Sequence, residues 1–345
     1  MARPAARILT RGDVEALLDA DTCRAAVAEA FRLYGTGEAA APSVLGLPRP
    51  GGGFHVKAGV LAHGPRAYFA AKVNGNFSGN DARGLLRIQG VVVLCDGETG
   101  TVLSLLDSAS ITELRTAAAT AVAATFLARP DSATATICGC GAQASAQLRA
   151  LARVLPLTRV FAHDAKPEQV ARFVEDFSMK GREKESVRWN PVERCGLVVE
   201  GAASLASALA SSDVVVACTP SKKAYLFEGS LKRGAFVAAV GADAEDKQEV
   251  DAALLVSAKV VTDVTAQCAA FGDLHHAIRA GLLTMGDVHA ELGEVVAGVK
   301  PRRTSDDEVI VFDSTGMALQ DVAAAAAAFE AAERAGRGAL VDFGA

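Results

Sequence analysis

Gly139, Gly141 and Ala144 stand at the spacing G-x-G-x-x-A in the run TATICGCGAQASAQL, a pattern suited to cradling a pyrophosphate. Gly139 permits a tight turn, Gly141 lets the backbone approach the phosphates, and Ala144 lets a helix pack closely on the strand before it. With Ala142 and Gln143 they open a helix whose first N–H groups have no partner within it and whose dipole is positive at that end. A dinucleotide site of this kind needs a carboxylate after the next strand to accept from the adenosine ribose. Asp164, in TRVFAHD, stands 25 positions beyond Gly139. It would repel a 2′-phosphate, and only Lys166 among the residues just after it is basic, so NAD is favoured over NADP. A glycine-rich turn holding no ligand is the competing reading.

Three charged residues are candidates for chemistry beside such a site. Lys72 lies inside the otherwise apolar stretch AYFAAKVN, where an ammonium is costly without an anionic partner or ligand. The alternative is a lysine whose head reaches back to solvent. Arg115, in ITELRTAAA, carries a guanidinium that can clamp a carboxylate or phosphate at two points, or that is simply a solvated helix arginine. Asp243 follows a buried-looking strand through Gly241, a place from which a carboxylate can orient an amine or move its proton, or merely form a turn. His275 and His276, in DLHHAIRAG, read as structural, since the pattern is helical and no nucleophile is near. Cys138 and Cys140 flank Gly139 with no second pair at zinc spacing; they read as packing residues, and no metal is expected.

The elements that must position these residues follow from periodicity. Residues 13–34 repeat apolar positions at helical spacing, and a Gly- and Pro-rich loop is expected over 35–53. Strands are expected at 54–61, 67–74, 88–96 and 101–107, the last two joined by a hairpin at Glu98-Thr99-Gly100. Ser110-x-x-Glu113 reads as a capping box opening a long Ala-rich helix that Pro130 stops. From 133 the rhythm becomes strand–helix alternation: strands at 134–138, 158–162, 213–217, 235–241, 259–263 and 308–313, with helices at 142–154 and 167–178. That rhythm predicts an α/β fold, a doubly wound parallel Rossmann sheet over 131–316 that binds NAD. A final helix at 317–335, or a low-complexity tail around the alanine run 323–328, has no strand after it in that rhythm. We expect it to return to the front section, so that 1–130 with 317–345 make a discontinuous α+β substrate-binding and dimerisation domain. Trp189 and the patch 180–196 carry no readable signal.

Bulk properties fit this scheme. The chain has 345 residues, long enough for two domains. Half of the residues are hydrophobic, 22% are charged, and the net charge of −5 offers no basic field for nucleic acid or an anionic membrane. No apolar run reaches the roughly 18 residues of a membrane span, and the start lacks a signal-peptide apolar core. Seven cysteines, an odd number scattered along the chain, suit reduced thiols in a cytoplasmic protein.

Taken together, residues 84–143, ACTPSKK (217–223), VGADAEDKQEVD (240–251), HAELGEVVAGVKPRR (289–303) and VFDSTGMALQDVA (311–323) resemble the ornithine cyclodeaminase/mu-crystallin family. The similarity leans towards its archaeal-type alanine dehydrogenase and imino-acid reductase branches. The resemblance implies a discontinuous front domain that forms a homodimer, with Lys72 and Arg115 on the substrate carboxylate and Asp243 near the reacting amine. It implies NAD held by the 139–144 turn and Asp164, Ser314 and Thr315 bordering the nicotinamide, and Thr116 and Thr219-Pro220-Ser221 lining the cofactor.

Three departures from the family pattern bear on the substrate. The arginine that relatives carry after the first helix is missing from Ala41-Pro42-Ser43-Val44. Where ornithine cyclodeaminases hold the distal amine with a glutamate, this chain has His55. Lys57 and Arg87 replace an apolar and a small hydroxyl residue, and alternation on strands would put Lys57 on the Lys72 face with Arg87 nearby. Gained cations and a lost anion disfavour a diamine and favour an acid with one or two carboxylates, at about 1.5–3 kcal/mol per charged hydrogen bond. The implied activity is NAD-dependent oxidoreduction at the C–N bond of an α-amino or α-imino acid. The alternatives are an ornithine cyclodeaminase that forms proline with loss of ammonia, and a non-catalytic mu-crystallin-like binding protein.

Overall fold

The computed structural model describes residues 5–178 and 196–343, and Trp189 with its neighbours at 180–195 lies outside them. The chain divides into two compact units, Met1–Ala119 with Met317–Ala345, and Thr120–Gly316.

In the first unit β1 (Ala6–Leu9) leads into α1 (Arg11–Leu17) and α2 (Ala20–Gly35). One helix was expected here, but Asp19 Oδ1 accepts from the backbone N–H groups of Asp21 and Thr22, both at 2.9 Å, and starts a new helix. The expected loop at 35–53 contains β2 (Ser43–Arg49), paired antiparallel with β3 (Gly52–His63). It is an edge strand, where Pro48 is tolerated because one side of the strand needs no donors. β4 (Arg66–Phe77), β5 (Ile88–Asp96) and β6 (Val102–Asp107) continue a seven-stranded sheet. Its order is C-terminal strand (Ala339–Val341), β1, β6, β5, β4, β3, β2, with only β1 and β6 parallel.

Period-two alternation gives this sheet two unlike faces. Leu61, Tyr68, Ala70, Lys72, Val92, Leu94 and Leu106 share one face and are buried. The C-terminal helix, Ala318–Ala335, packs on β3, β4 and α2. Gly59 admits it: a Cβ there would stand 2.8 Å from Leu319 Cδ2. Ala323 to Ala328 are all buried within this helix, so the alanine run is core and not a tail. On the opposite face Leu45, Leu47, Phe54, Val60 and Val73 are exposed.

α3 (Ser108–Leu127) starts one turn earlier than the Ser110–Glu113 box implied. Asp107 is its cap, with Oδ1 accepting from the Ser110 backbone N–H at 2.9 Å and its hydroxyl at 2.6 Å. In the second unit the strands are β7 (Thr134–Cys138), β8 (Arg159–His163), β9 (Val198–Gly201), β10 (Val214–Ala217), β11 (Lys222–Leu226), β12 (Phe236–Ala239), β13 (Gln248–Val250), β14 (Lys259–Thr262), β15 (Ala290–Glu291) and β16 (Ile310–Asp313). Eight of them form one all-parallel sheet in the order β15-β14-β16-β12-β10-β7-β8-β9, while β11 and β13 form a separate ribbon. β10 and β12 are wholly buried apolar runs, and β16 is another that ends in Asp313, as expected of strands covered on both faces. The strand order reverses between β7 and β10, so the crevice outside their carboxyl ends is where a doubly wound sheet takes its ligand. Among the described residues no helix is long and apolar enough to cross a membrane.

Candidate nucleotide and substrate sites

The glycine turn leaves β7 at that crevice. Gly139 has φ +95°, and a Cβ there would stand 2.8 Å from Thr219 Cγ2 and 2.9 Å from the Cys218 carbonyl oxygen. Only glycine satisfies both demands. A Cβ on Gly141 would meet nothing within 4 Å, so that side of the backbone is open to a ligand. α4 (Ala144–Val154) then begins with Gln143 at its N-terminus and no side-chain cap, and Ala144 is fully buried against the strand layer. Asp164 follows β8 directly; its Oδ2 accepts from the Cys140 backbone N–H at 2.8 Å and its Oδ1 from that of Lys166 at 2.9 Å. An open glycine cradle, an uncapped helix start and a carboxylate at the next strand end fit a dinucleotide.

Two buried carboxylates that sequence reasoning missed hold the neighbouring loops. Glu249 Oε1 accepts from the backbone N–H and hydroxyl of Thr219, both at 2.7 Å, and from the Tyr225 hydroxyl at 2.8 Å; its Oε2 accepts from the Gly241 N–H at 2.8 Å. It thereby fixes both the Thr219-Pro220-Ser221 loop and the segment leading to Asp243. Burial pushes its carboxyl above the usual range, against these donors. Asp263, at the end of β14, accepts from the Ser314 hydroxyl at 2.8 Å and the Gly316 N–H at 2.6 Å. Ser221 donates its hydroxyl to the Lys223 carbonyl. The Thr219, Ser221 and Ser314 hydroxyls are thus committed within the protein. A charge at the end of an otherwise apolar strand is the signal that marks Asp263.

In the first unit Lys72 and Arg115 come together, from β4 and α3. Each is about 5% exposed or less, and both meet one carboxylate: Lys72 Nζ lies 2.8 Å and Arg115 Nε 3.0 Å from Asp321 Oδ1. Arg115 Nη1 also donates to Gln320 Oε1 at 2.9 Å. Asp321 and Gln320 come from the C-terminal helix. Burial, then the Arg115 charge and Lys57, bring Lys72 down to about 7, with Asp321 opposing them. Lys57 is the direct cross-strand partner of Lys72, on the same face, and His55 shares that face two residues away. Arg87 precedes β5, its carbonyl accepts from Phe77 N–H, and this register puts it on the opposite face.

The remaining candidates lie as follows. Asp243 is half-exposed and ion-paired with Lys247. Thr116 donates its hydroxyl to the Thr112 carbonyl within α3. His275 Nδ1 and His276 Nε2 lie 3.0 Å and 2.8 Å from the carbonyl oxygens of Ala269 and Lys247, a structural use of both rings. Cys138 and Cys140 are buried, and burial pushes the Cys140 thiol up to about 12.

A parallel sheet with this turn in one unit, and in the other a mostly antiparallel sheet covered by the returning C-terminal helix, define a Rossmann-type two-unit protein. The chain belongs to the ornithine cyclodeaminase/mu-crystallin family, whose model matches residues 5–336. It is similar to an archaeal alanine dehydrogenase dimer with bound NAD, at 35% identity and a TM-score of 0.88 over 98% of this chain and 99% of that one. The iminosuccinate reductase of Paracoccus denitrificans, in complex with NAD+, is 30% identical with a TM-score of 0.85 over 98% and 100%. The Δ1-pyrroline-2-carboxylate reductase of Thermococcus litoralis, in complex with NADH and L-proline, is 27% identical with a TM-score of 0.87 over 96% and 99%.

Proposed function

We propose that this protein is an NAD-dependent oxidoreductase acting on the C–N bond of an α-amino or α-imino acid. The observation that carries the reading is the buried Lys72–Arg115 pair, two cations set on a single carboxylate. An ammonium and a guanidinium together outnumber Asp321, which suits an acid substrate. NAD would lie against Gly139, Gly141, Ala142 and Gln143, with Asp164 at its ribose and Thr116, Thr219, Ser221 and Ser314 lining it, the committed hydroxyls acting as scaffold. When bound, it supplies or takes up a hydride at the substrate α-carbon.

The chain's own residues do the rest. Lys72 and Arg115, with Lys57 beside them, hold the carboxylate and so fix the α-carbon. Asp243 orients the nitrogen or passes it a proton, and its ion pair with Lys247 holds that carboxylate in place. His55 beside Lys57 gives a distal ammonium no anion to meet, which disfavours ornithine. Asp164 supports NAD over NADP. We also propose a homodimer formed through the exposed apolar face of β2, β3 and β4, as the archaeal alanine dehydrogenase is a dimer.

The test is NADH oxidation with pyruvate plus ammonia, pyrroline-2-carboxylate and iminosuccinate as separate substrates. Loss of nicotinamide absorbance with at least one is expected. No oxidation with any of them overturns the reading, and ammonia release from ornithine without net change in NADH would assign the lyase activity instead.

A further inference from the structure

We propose that Asp321 is the positioning residue of the substrate-carboxylate site: its single oxygen Oδ1 fixes Lys72 Nζ and Arg115 Nε side by side, so that both cations aim their remaining N–H donors at one bound carboxylate. The inference rests on the functional reading above and adds to it a residue from the C-terminal helix.

Asp321 is about 1% exposed, as is expected of a charge only when it is paired. Lys72 uses one of its three donors on it; Arg115 Nε is ion-paired with the same oxygen at 3.0 Å without hydrogen-bond geometry, and its Nη1 donates to Gln320. Two Lys72 donors and Arg115 Nε and Nη2 therefore make no hydrogen bond among the described residues. The charged and titratable neighbours come from four directions: Asp321 from the C-terminal helix, Arg115 from α3, Lys57 from β3 and Cys23 from α2. Cys23 is neutral, because burial pushes its thiol up to about 12. Asp321 is thus the anion that favours the protonated form of Lys72 among like charges. Stability alone is a poor account of it, since buried ion pairs are often replaced by apolar residues at no loss.

Asp321→Asn keeps the shape and removes the charge. Its KM for the imino acid should rise about ten- to a hundredfold, the scale of one charge-assisted hydrogen bond. The alkaline limb of kcat/KM should move to lower pH by about one unit, with the Kd for NADH within about twofold of wild type. Asp321→Glu should recover the position of the limb, because it restores the charge, while its longer arm leaves KM raised. A limb and KM unchanged in Asp321→Asn, with only thermal stability lost, overturn the proposal. If Asp321→Asn does not fold, an unchanged KM in Asp321→Glu overturns it equally. A 15N-lysine NMR titration separates this test from the functional reading, because it needs no turnover. The Lys72 resonance should titrate at lower pH in Asp321→Asn; if it does not move, the proposal falls even in an active enzyme, and if it moves in a protein inactive on every imino acid, only the functional reading falls.

Discussion

Asp164 has two tasks, and they pull a substitution in different directions. Through Oδ2 it closes the glycine turn on the Cys140 N–H, and in the proposed NAD site its charge meets the ribose hydroxyls and excludes a 2′-phosphate. Asp164→Ser should therefore raise the KM for NADH while lowering that for NADPH. The preference between them should narrow by about tenfold, some 1.4 kcal/mol, in steady-state kinetics with each cofactor. An unchanged ratio would remove Asp164 from cofactor selection. Its place was legible because a residue type at a strand end follows from the turn spacing. Lys72 was legible for another reason, the cost of a charge within an apolar run. The same argument applies to Asp321 in MALQDVAAAAAA and to Asp263 in VVTDV, whose partners lie far along the chain. Spacing could not reveal them: Lys72 and Asp321 are 249 positions apart and meet only through the fold.

Helix starts show how a local pattern is resolved by its surroundings. Ser110–Glu113 and Asp107–Ser110 both offer capping chemistry, and the second prevails because β6 ends at Asp107. Another helix start carries a pH-dependent load. Asp313 Oδ2, at the end of β16, accepts from the Leu274 N–H at 2.8 Å, at the start of the helix Asp273–Arg279, while Asp273 Oδ1 holds the N–H groups of Glu249 and Val250. Asp313 Oδ1 and Asp273 Oδ2 are buried without a partner. Burial, with Asp263 and Glu249 nearby, pushes the Asp313 carboxyl up to about 7, and burial with Asp313 itself pushes Asp273 well above its ordinary range. Below about pH 4 folded and unfolded chains both hold these protons. From there to about pH 7 the unfolded chain has released them and the native state has not, so this pair makes stability fall as pH rises. Asp313→Asn retains an acceptor for Leu274 and adds a donor for Asp273. Calorimetric Tm values from pH 5 to pH 8 should decline less steeply for the variant than for the wild type; parallel curves would refute the assignment.

At the scale of the whole molecule the two faces of the first unit's sheet differ, and the exposed one bears on the proposed dimer. The parallel sheet was legible because strand–helix rhythm repeats, whereas β1 and the C-terminal strand are too short, at four and three residues, for periodicity to register. β2 was hidden by Pro48 and by side chains that face outward; Leu45 and Leu47 are 54% and 51% exposed. An edge strand with an apolar outer face is a liability in a free monomer, and it continues onto Phe54, Val60 and Val73. In the proposed dimer a second copy of the chain covers that apolar surface. Leu45→Lys with Leu47→Lys adds two like charges to that face in each protomer, at positions whose exposure leaves the protomer's core untouched. Sedimentation should find the wild type at twice the 35.4 kDa chain mass and the double variant close to a single chain at micromolar concentration. A variant that stays dimeric would move the interface off this sheet face.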